Sequence, residues 1–246
     1  MPESGTATAA EKAAAKTGVR TLAIDIGGTG IKAIILDEKG NPTTERARVE
    51  TPQPATPDAV TKTIVDLVQK QGEYDRVSVG FPGVVRSGKT ETAHNLDKKW
   101  IGFDFAKALS KKLNKPVRVC NDADVQGFGA IEGQGVELVI TLGTGVGSAL
   151  FLNGRLVPNL EMAHHPYRRG RTYEEILGKK ALDKIGKKKW SKRLQRAIKH
   201  WEALFNYDHL YIGGGNAKKI KFKLPPNVRA VENVAGLLGG IALWRD

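Results

Sequence analysis

Two short runs concentrate glycine beside groups that can carry charge or a hydroxyl: Asp25-Ile26-Gly27-Gly28-Thr29-Gly30 and Leu142-Gly143-Thr144-Gly145-Val146-Gly147. Successive glycines let backbone N–H groups converge on a phosphate, and a carboxylate beside them suits Mg²⁺ or its water shell. For the first run the bland alternative is a hairpin turn. Three glycines and an aspartate exceed what a two-residue turn requires, which favours the chemical reading. The second run adds the Thr144 hydroxyl and is weak alone; in a matching context it becomes the second jaw of a phosphate clamp.

Two further clusters suit work on a hydroxyl. Cys120-Asn121-Asp122-Ala123-Asp124 follows an apolar strand and precedes a helix. A carboxylate there can act as general base while Asn121 binds neighbouring hydroxyls. Asn and Asp are also favoured helix caps, and spacing does not separate the two readings. Glu161 and His164 lie three apart and suit contacts to a polyol. Metal ligation there is disfavoured, because the nearest third ligand is the adjacent His165. Gly83 to Thr90 (GVVRSGKT) fits the P-loop pattern, but Glu91 to Trp100 lacks the helical apolar stripe that must follow one, so the match reads as a decoy.

Composition narrows the partners. The 246 residues are 40% apolar and 26% charged, near the globular average, and no apolar run approaches the roughly 20 residues of a membrane helix. The single cysteine, Cys120, excludes an internal disulfide and a cysteine-rich zinc site. With no apolar signal segment at the N-terminus, a cytoplasmic protein is expected. The formal charge is +13, and thirteen Lys or Arg against three acids fall between Arg168 and Lys199. Such a basic excess points to a polyanionic partner, although most charge runs are solvated helix faces.

The positioning elements follow from periodicity. Thr21 to Leu36 reads as a buried hairpin, and a similar unit returns at Leu138 to Val157 with an Asn-Gly turn, which suggests two related lobes around a cleft. Strands are expected at Arg76–Gly80, Val117–Cys120 and Leu210–Ile212. Helices are expected from Thr56 to Gln71, after Asp104, from Ser191 through Leu194, Ile198, Trp201 and Phe205, and over Val234–Trp244. Strands alternating with helices give an α/β class with parallel sheet. Residues 1–18 read as a flexible tail.

Together the motifs resemble the ROK family of sugar kinases, within the actin, Hsp70 and hexokinase superfamily. Asp25-Ile-Gly-Gly-Thr is similar to its first phosphate motif, Leu142-Gly-Thr-Gly-Val-Gly to its second, and Gly213-Gly214-Gly215-Asn216 to its later glycine-rich strand end. Within the family, Thr51-Pro-Gln-Pro-Ala-Thr-Pro57, His94 to Gly102, Asn121 to Asp124 and Val157-Pro-Asn resemble the polyphosphate glucokinases and glucomannokinases. The family's cysteine cluster after the Glu/His segment is absent; His165-Pro-Tyr-Arg-Arg-Gly-Arg171 stands there instead.

The resemblance implies an actin-like, ribonuclease H-like two-lobed sugar kinase fold with a central cleft. Residues 19–121 would form a small lobe and 122–233 a larger one, with 234–246 packing back on the first. It implies Asp122 as catalytic base, with Asn95, Asn121, Glu161, His164 and Glu174 (preferred over Glu175) at the sugar. Phosphate would meet Asp25, Gly27, Gly28, Thr29, Gly30, Lys32, Gly143, Thr144, Gly145, Gly214 and Gly215, with Mg²⁺ at Asp25. A polyphosphate groove is expected along Lys98, Arg168, Arg169, Arg171, Lys187, Lys188, Lys192 and Arg193. The expected reaction takes glucose to glucose 6-phosphate with inorganic polyphosphate as donor, ATP as a secondary donor, and a homodimer as the working form. The alternative is an ATP-dependent hexokinase of the same fold. A repressor of the same family is disfavoured, because about twenty residues before Thr21 are too few for a helix-turn-helix; no membrane or specific nucleic-acid partner is expected.

Overall fold

The computed structural model describes residues 18–93, 96–231 and 239–245. The first part of the chain gives β1 (Thr21–Ile26), β2 (Ile31–Leu36), β3 (Ala47–Val49), helix α1 (Pro57–Val68) and β4 (Arg76–Phe81). A small sheet of β5 (Val85–Arg86), β6 (Lys89–Thr90) and β7 (Phe103–Asp104) follows, then α2 (Phe105–Leu113), β8 (Val117–Asn121) and α3 (Asp122–Phe128). The second part has β9 (Val136–Leu142), β10 (Val146–Leu152), β11 (Arg155–Val157) and the hairpin β12 (Pro166–Arg168) and β13 (Arg171–Thr172). Helices α4 (Tyr173–Leu177) and α5 (Lys179–Phe205) and strands β14 (His209–Gly213) and β15 (Val228–Ala230) complete it.

Two five-stranded sheets share one plan. Their strand orders are β3-β2-β1-β4-β8 and β11-β10-β9-β14-β15. In each, an antiparallel meander supplies one edge and two parallel strands the other. The expected hairpins and strands are present, each within a residue or two of its expected ends. Near-continuous apolar runs such as Leu22 to Ile26 are what strands covered on both faces require.

On one face of the first sheet, Val60 and Ile64 of α1, Leu109 of α2 and the aromatic group Phe81, Trp100 and Phe105 form a core. Thr56 caps α1 by accepting from Ala59 N, with Pro57 in its first turn, and Asp104 caps α2 by accepting from Lys107 N. The other face packs Ala23, Ile34 and Leu36 against Ile241. There the segment Gly239–Trp244 is a 3-10 helix, its Gly240 carbonyl accepting from Ser78 Oγ at 2.6 Å. The helix expected over Val234–Trp244 therefore appears as a 3-10 turn where it is described, and the rest lies outside the described residues. A glycine pair is a poor α-helix former, and a Cβ on Gly239 would sit 1.9 Å from the Val125 carbonyl oxygen.

The second core gathers Leu138, Ile140, Trp190, Leu194, Ile198 and Trp201. Helix α5 starts well before the expected Ser191, at Lys179, and is interrupted by Gly186 at φ 75°. The lysine run conceals this, since lysine is a good helix former that adds no apolar stripe. Helix α3 touches β4 and β8 of one sheet and β9 and β10 of the other. The first residues of α3 thus sit where the two sheets face each other.

Candidate active site

The cleft between the sheets has a volume of about 1070 Å³. The β1–β2 turn forms one jaw. Gly27 N donates to Gly30 O at 2.9 Å, and Thr51 Oγ1 donates to Gly27 O at 2.6 Å. At the base of the turn, Lys32 Nζ on β2 meets Asp25 Oδ2 on β1 at 2.7 Å across the hairpin register. The β9–β10 turn forms the facing jaw, with Gly143 N donating to Gly145 O at 3.0 Å and Asn216 Nδ2 donating to Gly143 O at 2.8 Å. Gly214, at φ 86°, lets the end of β14 press on β9; a Cβ there would lie 2.4–2.7 Å from Leu142 backbone atoms.

Asn121 and Asp122 enter at the start of α3. Asn121 Oδ1 accepts from Ala123 N and Asp124 N, and its amide donates to Gly83 O at 3.1 Å. The capping reading of Asn121 is thus realised while the residue also lines the cleft. Asp122 Oδ1 accepts from Ala123 N at 2.7 Å. Burial first, and then the charges of Asp25, Glu161 and Asp124, push its carboxyl up to about 7, against the lowering effect of the Ala123 hydrogen bond. A carboxylate whose affinity for a proton approaches neutrality is suited to accepting one from a hydroxyl.

Glu161 and His164 sit at 3.4 Å on the loop after β11. Ser148 holds that loop by donating to Leu160 O at 2.5 Å and accepting from Met162 N at 3.2 Å. Glu174 lines the cleft, its Oε2 accepting from Val146 N at 3.2 Å beside Gly145. Glu175 is exposed and closes a capping box with Thr172, so only the first of the two glutamates reaches the cleft.

Most of the expected residues converge here. Asp25, Gly27, Gly28, Thr29, Lys32, Asn121, Asp122, Gly143, Thr144, Gly145, Glu161, His164, Glu174, Gly214 and Gly215 all line the cleft. Gly30 stands behind it against Arg48, and Asn95 lies outside the described residues. The eight cations expected to form a groove are not in its lining: Lys98 is exposed on a 3-10 turn, Arg168, Arg169 and Arg171 on the β12–β13 hairpin, and the rest are on α5. Arg46 and Arg48, which sequence reasoning passed over, do line it. Their signal was faint: two arginines, one in a three-residue strand and one just before it.

The P-loop match is a hairpin, with Ser87 and Gly88 both at positive φ in its turn, and residues 91–93 that leave it are not helical. Where the family's cysteine cluster would follow Glu161 and His164, Tyr167 packs 4.8 Å from Tyr173 and 5.4 Å from His200, ring centre to ring centre. Among the described residues no group of three or more His, Cys, Asp or Glu could hold a metal by itself. Mg²⁺ asks for less, one or two carboxylates with phosphate oxygens and water completing the shell, and Asp25 at the mouth of a glycine turn fits that need.

Two sheets of one plan, closing on a cleft with a glycine turn in each jaw and a carboxylate at the head of the helix between them, define a two-lobed kinase of the actin-like class. The comparisons agree. The ROK family model matches residues 21–163, and the chain belongs to the ROK family. It is 35% identical to the polyphosphate glucokinase of Mycobacterium tuberculosis over 241 residues, 88% of each chain, and 35% identical to that of Mycobacterium leprae over 89% of this chain and 73% of the relative. Among solved structures, the inorganic polyphosphate/ATP-glucomannokinase of Arthrobacter sp. strain KM superposes with a TM-score of 0.84 at 37% identity, covering 93% of this chain and all of that one. A ROK glucokinase of Streptomyces griseus shares the fold, with a TM-score of 0.76 at 20% identity over 91% of this chain and 98% of that one.

Proposed function

We propose that this protein transfers the terminal phosphoryl group of inorganic polyphosphate to the 6-hydroxyl of glucose, with Asp122 as general base. The observation that carries the reading is the position of Asp122, held at the head of α3 between the two glycine turns with its carboxyl pushed up to about 7. Asn121, Glu161, His164, Glu174 and, in the family pattern, Asn95 would hold the sugar hydroxyls. The amides around Gly27, Gly28, Thr29, Gly143, Thr144 and Gly145, with Gly214 and Gly215 beyond, would hold the phosphoryl group. Asp25 would hold Mg²⁺, which neutralises donor phosphate charge when bound. Catalysis is then chiefly positioning and charge stabilisation. Likeness to relatives named for polyphosphate, at 35–37% identity over most of the chain, supports this donor.

The lobes are taken to divide between Asn121 and Asp122, so that closing them on glucose would exclude water from the transferred group. The cations of the β12–β13 hairpin and α5, with Lys98, would guide the polymer's outer length. A cytoplasmic homodimer is the form expected from the family, and among the described residues no helix is long and apolar enough to cross a membrane. The test is the initial rate of glucose 6-phosphate formation with Mg²⁺ and either long-chain polyphosphate or ATP. Faster turnover with polyphosphate is expected. Product with ATP alone would transfer the reading to an ATP-dependent hexokinase, and no product with either donor would remove glucose kinase activity.

A further inference from the structure

The cleft separates its charges. Its carboxylates, Asp25, Asp122, Glu161 and Glu174, stand at the turns, the head of α3 and the loops of the second sheet. Its Lys and Arg side chains are Lys32, Arg46 and Arg48, all on β2 or the strand edge beside it. Asp25 pairs with Lys32, and Lys32 with Arg48, in one row across three strands. Arg46, just before β3, lines the same cleft as Arg48.

This wall is electrostatically unfinished. Lys32 spends its charge on Asp25 at 2.7 Å, while Arg48 lies directly opposite Lys32, a like-charge pair that weakens a sheet. Neither Arg46 nor Arg48 has an ion pair or side-chain hydrogen bond with another described residue. The fold also makes room for one of them: a Cβ on Gly30 would lie 3.0 Å from Arg48 Nε and 3.3 Å from the Val49 carbonyl oxygen. Gly30 thus serves the arginine behind the turn, while Gly27, Gly28 and Thr29 face the cleft. Two unpaired guanidiniums beside a phosphate-binding turn match a chain of phosphates, each offering oxygens to a planar fork.

We propose that Arg46 and Arg48, with Lys32, form the inner contact surface for the polyphosphate chain behind the transferred phosphate and set the preference for a polymeric donor, an inference that rests on the donor reading above. The cations of α5 and the β12–β13 hairpin, absent from the cleft lining, contribute less.

The test measures binding of long-chain polyphosphate carrying a terminal fluorophore, by anisotropy across a salt series and without glucose. Arg46→Gln/Arg48→Gln is expected to weaken binding on the order of tenfold at low salt. The same variant should flatten the dependence of log K on log salt by about 0.7 per arginine removed. Arg46→Lys/Arg48→Lys, which keeps two point charges, should retain that slope, and glucose affinity by calorimetry should hold in both as the check on folding. Lys188→Gln/Lys192→Gln on α5 should lose less. Unchanged polymer binding in the glutamine variant, a larger loss in the α5 variant, or no binding by the unmodified protein would each overturn the proposal. Turnover is not read here, so failure of the donor reading, seen as missing product in the rate assay, is a separate result.

Discussion

Asp122→Asn separates catalysis from folding in one substitution. The shape is kept, and the amide oxygen can still accept from Ala123 N, as Asp122 Oδ1 does at 2.7 Å. What goes is the proton acceptor, whose contribution as general base is typically about 10²–10⁴-fold, so kcat should fall by that factor with glucose affinity kept within about twofold. Stability should move the other way. A carboxyl raised to about 7 from its ordinary value near 3.8 corresponds to on the order of 4 kcal/mol against the ionised form. Water in the open cleft screens part of this, leaving about 1–2 kcal/mol, or a Tm gain of roughly 2–8 °C above pH 7.

The sign follows from proton counts. Between about pH 4 and pH 7 the folded protein keeps the Asp122 proton and the unfolded chain has released it, so this group's contribution to stability falls as pH rises through that window. Asp124, also pushed up to about 7, chiefly by burial, is present in both proteins and enters their difference only through its repulsion with the Asp122 charge, which the variant removes and which adds to the gain. The variant's advantage should therefore grow from pH 4 to 7 and level off above. The assays are coupled glucose 6-phosphate rates and thermal unfolding from pH 4 to 8. Retained turnover, or a variant less stable at pH 8, would refute the reasoning.

Two further predictions concern the frame. Glu137, wholly buried in β9, accepts from Glu132 N, Gly133 N, Gln134 N and Tyr211 Oη at 2.7–3.1 Å. Glu137→Gln turns a donor toward donors and should cost about 3 kcal/mol, a Tm loss on the order of 10 °C; an unchanged melt would show that the loop does not need the carboxylate. Gly214→Ala should cost roughly 2–4 kcal/mol in urea unfolding and raise the donor KM, because the methyl would meet the Leu142 backbone that leads into Gly143. Native stability with an unaltered KM would show that the strand end yields without moving the turn.

Much of the site was legible because its parts are local. Glycine and asparagine turns, the Thr56 and Asp104 caps, and the strands ending at Phe81, Asn121 and Gly213 each depend on residues a few positions apart. The strand-turn-strand unit around Gly27 and its counterpart around Gly143 could be seen as a pair for the same reason. The β12–β13 hairpin was less legible, since one partner of Tyr167, His200, lies far along α5 and meets it only in the folded chain.

The sequence by itself determined the α/β class, the two glycine turns, the head of α3 and the segments that would face a substrate. Only the tertiary structure decided which charges share the cleft. It set Glu174 against Val146 N, 28 residues away in the chain, while Glu175 closes a local capping box with Thr172. It also left the basic run of α5 out of the cleft lining and brought in Arg46 and Arg48, because the row Asp25–Lys32–Arg48 exists only across paired strands. The raised proton affinity of Asp122 has the same origin. Burial and the charges of Asp25 and Glu161, 97 residues before and 39 after it in the chain, act at distances that packing creates and sequence spacing does not encode.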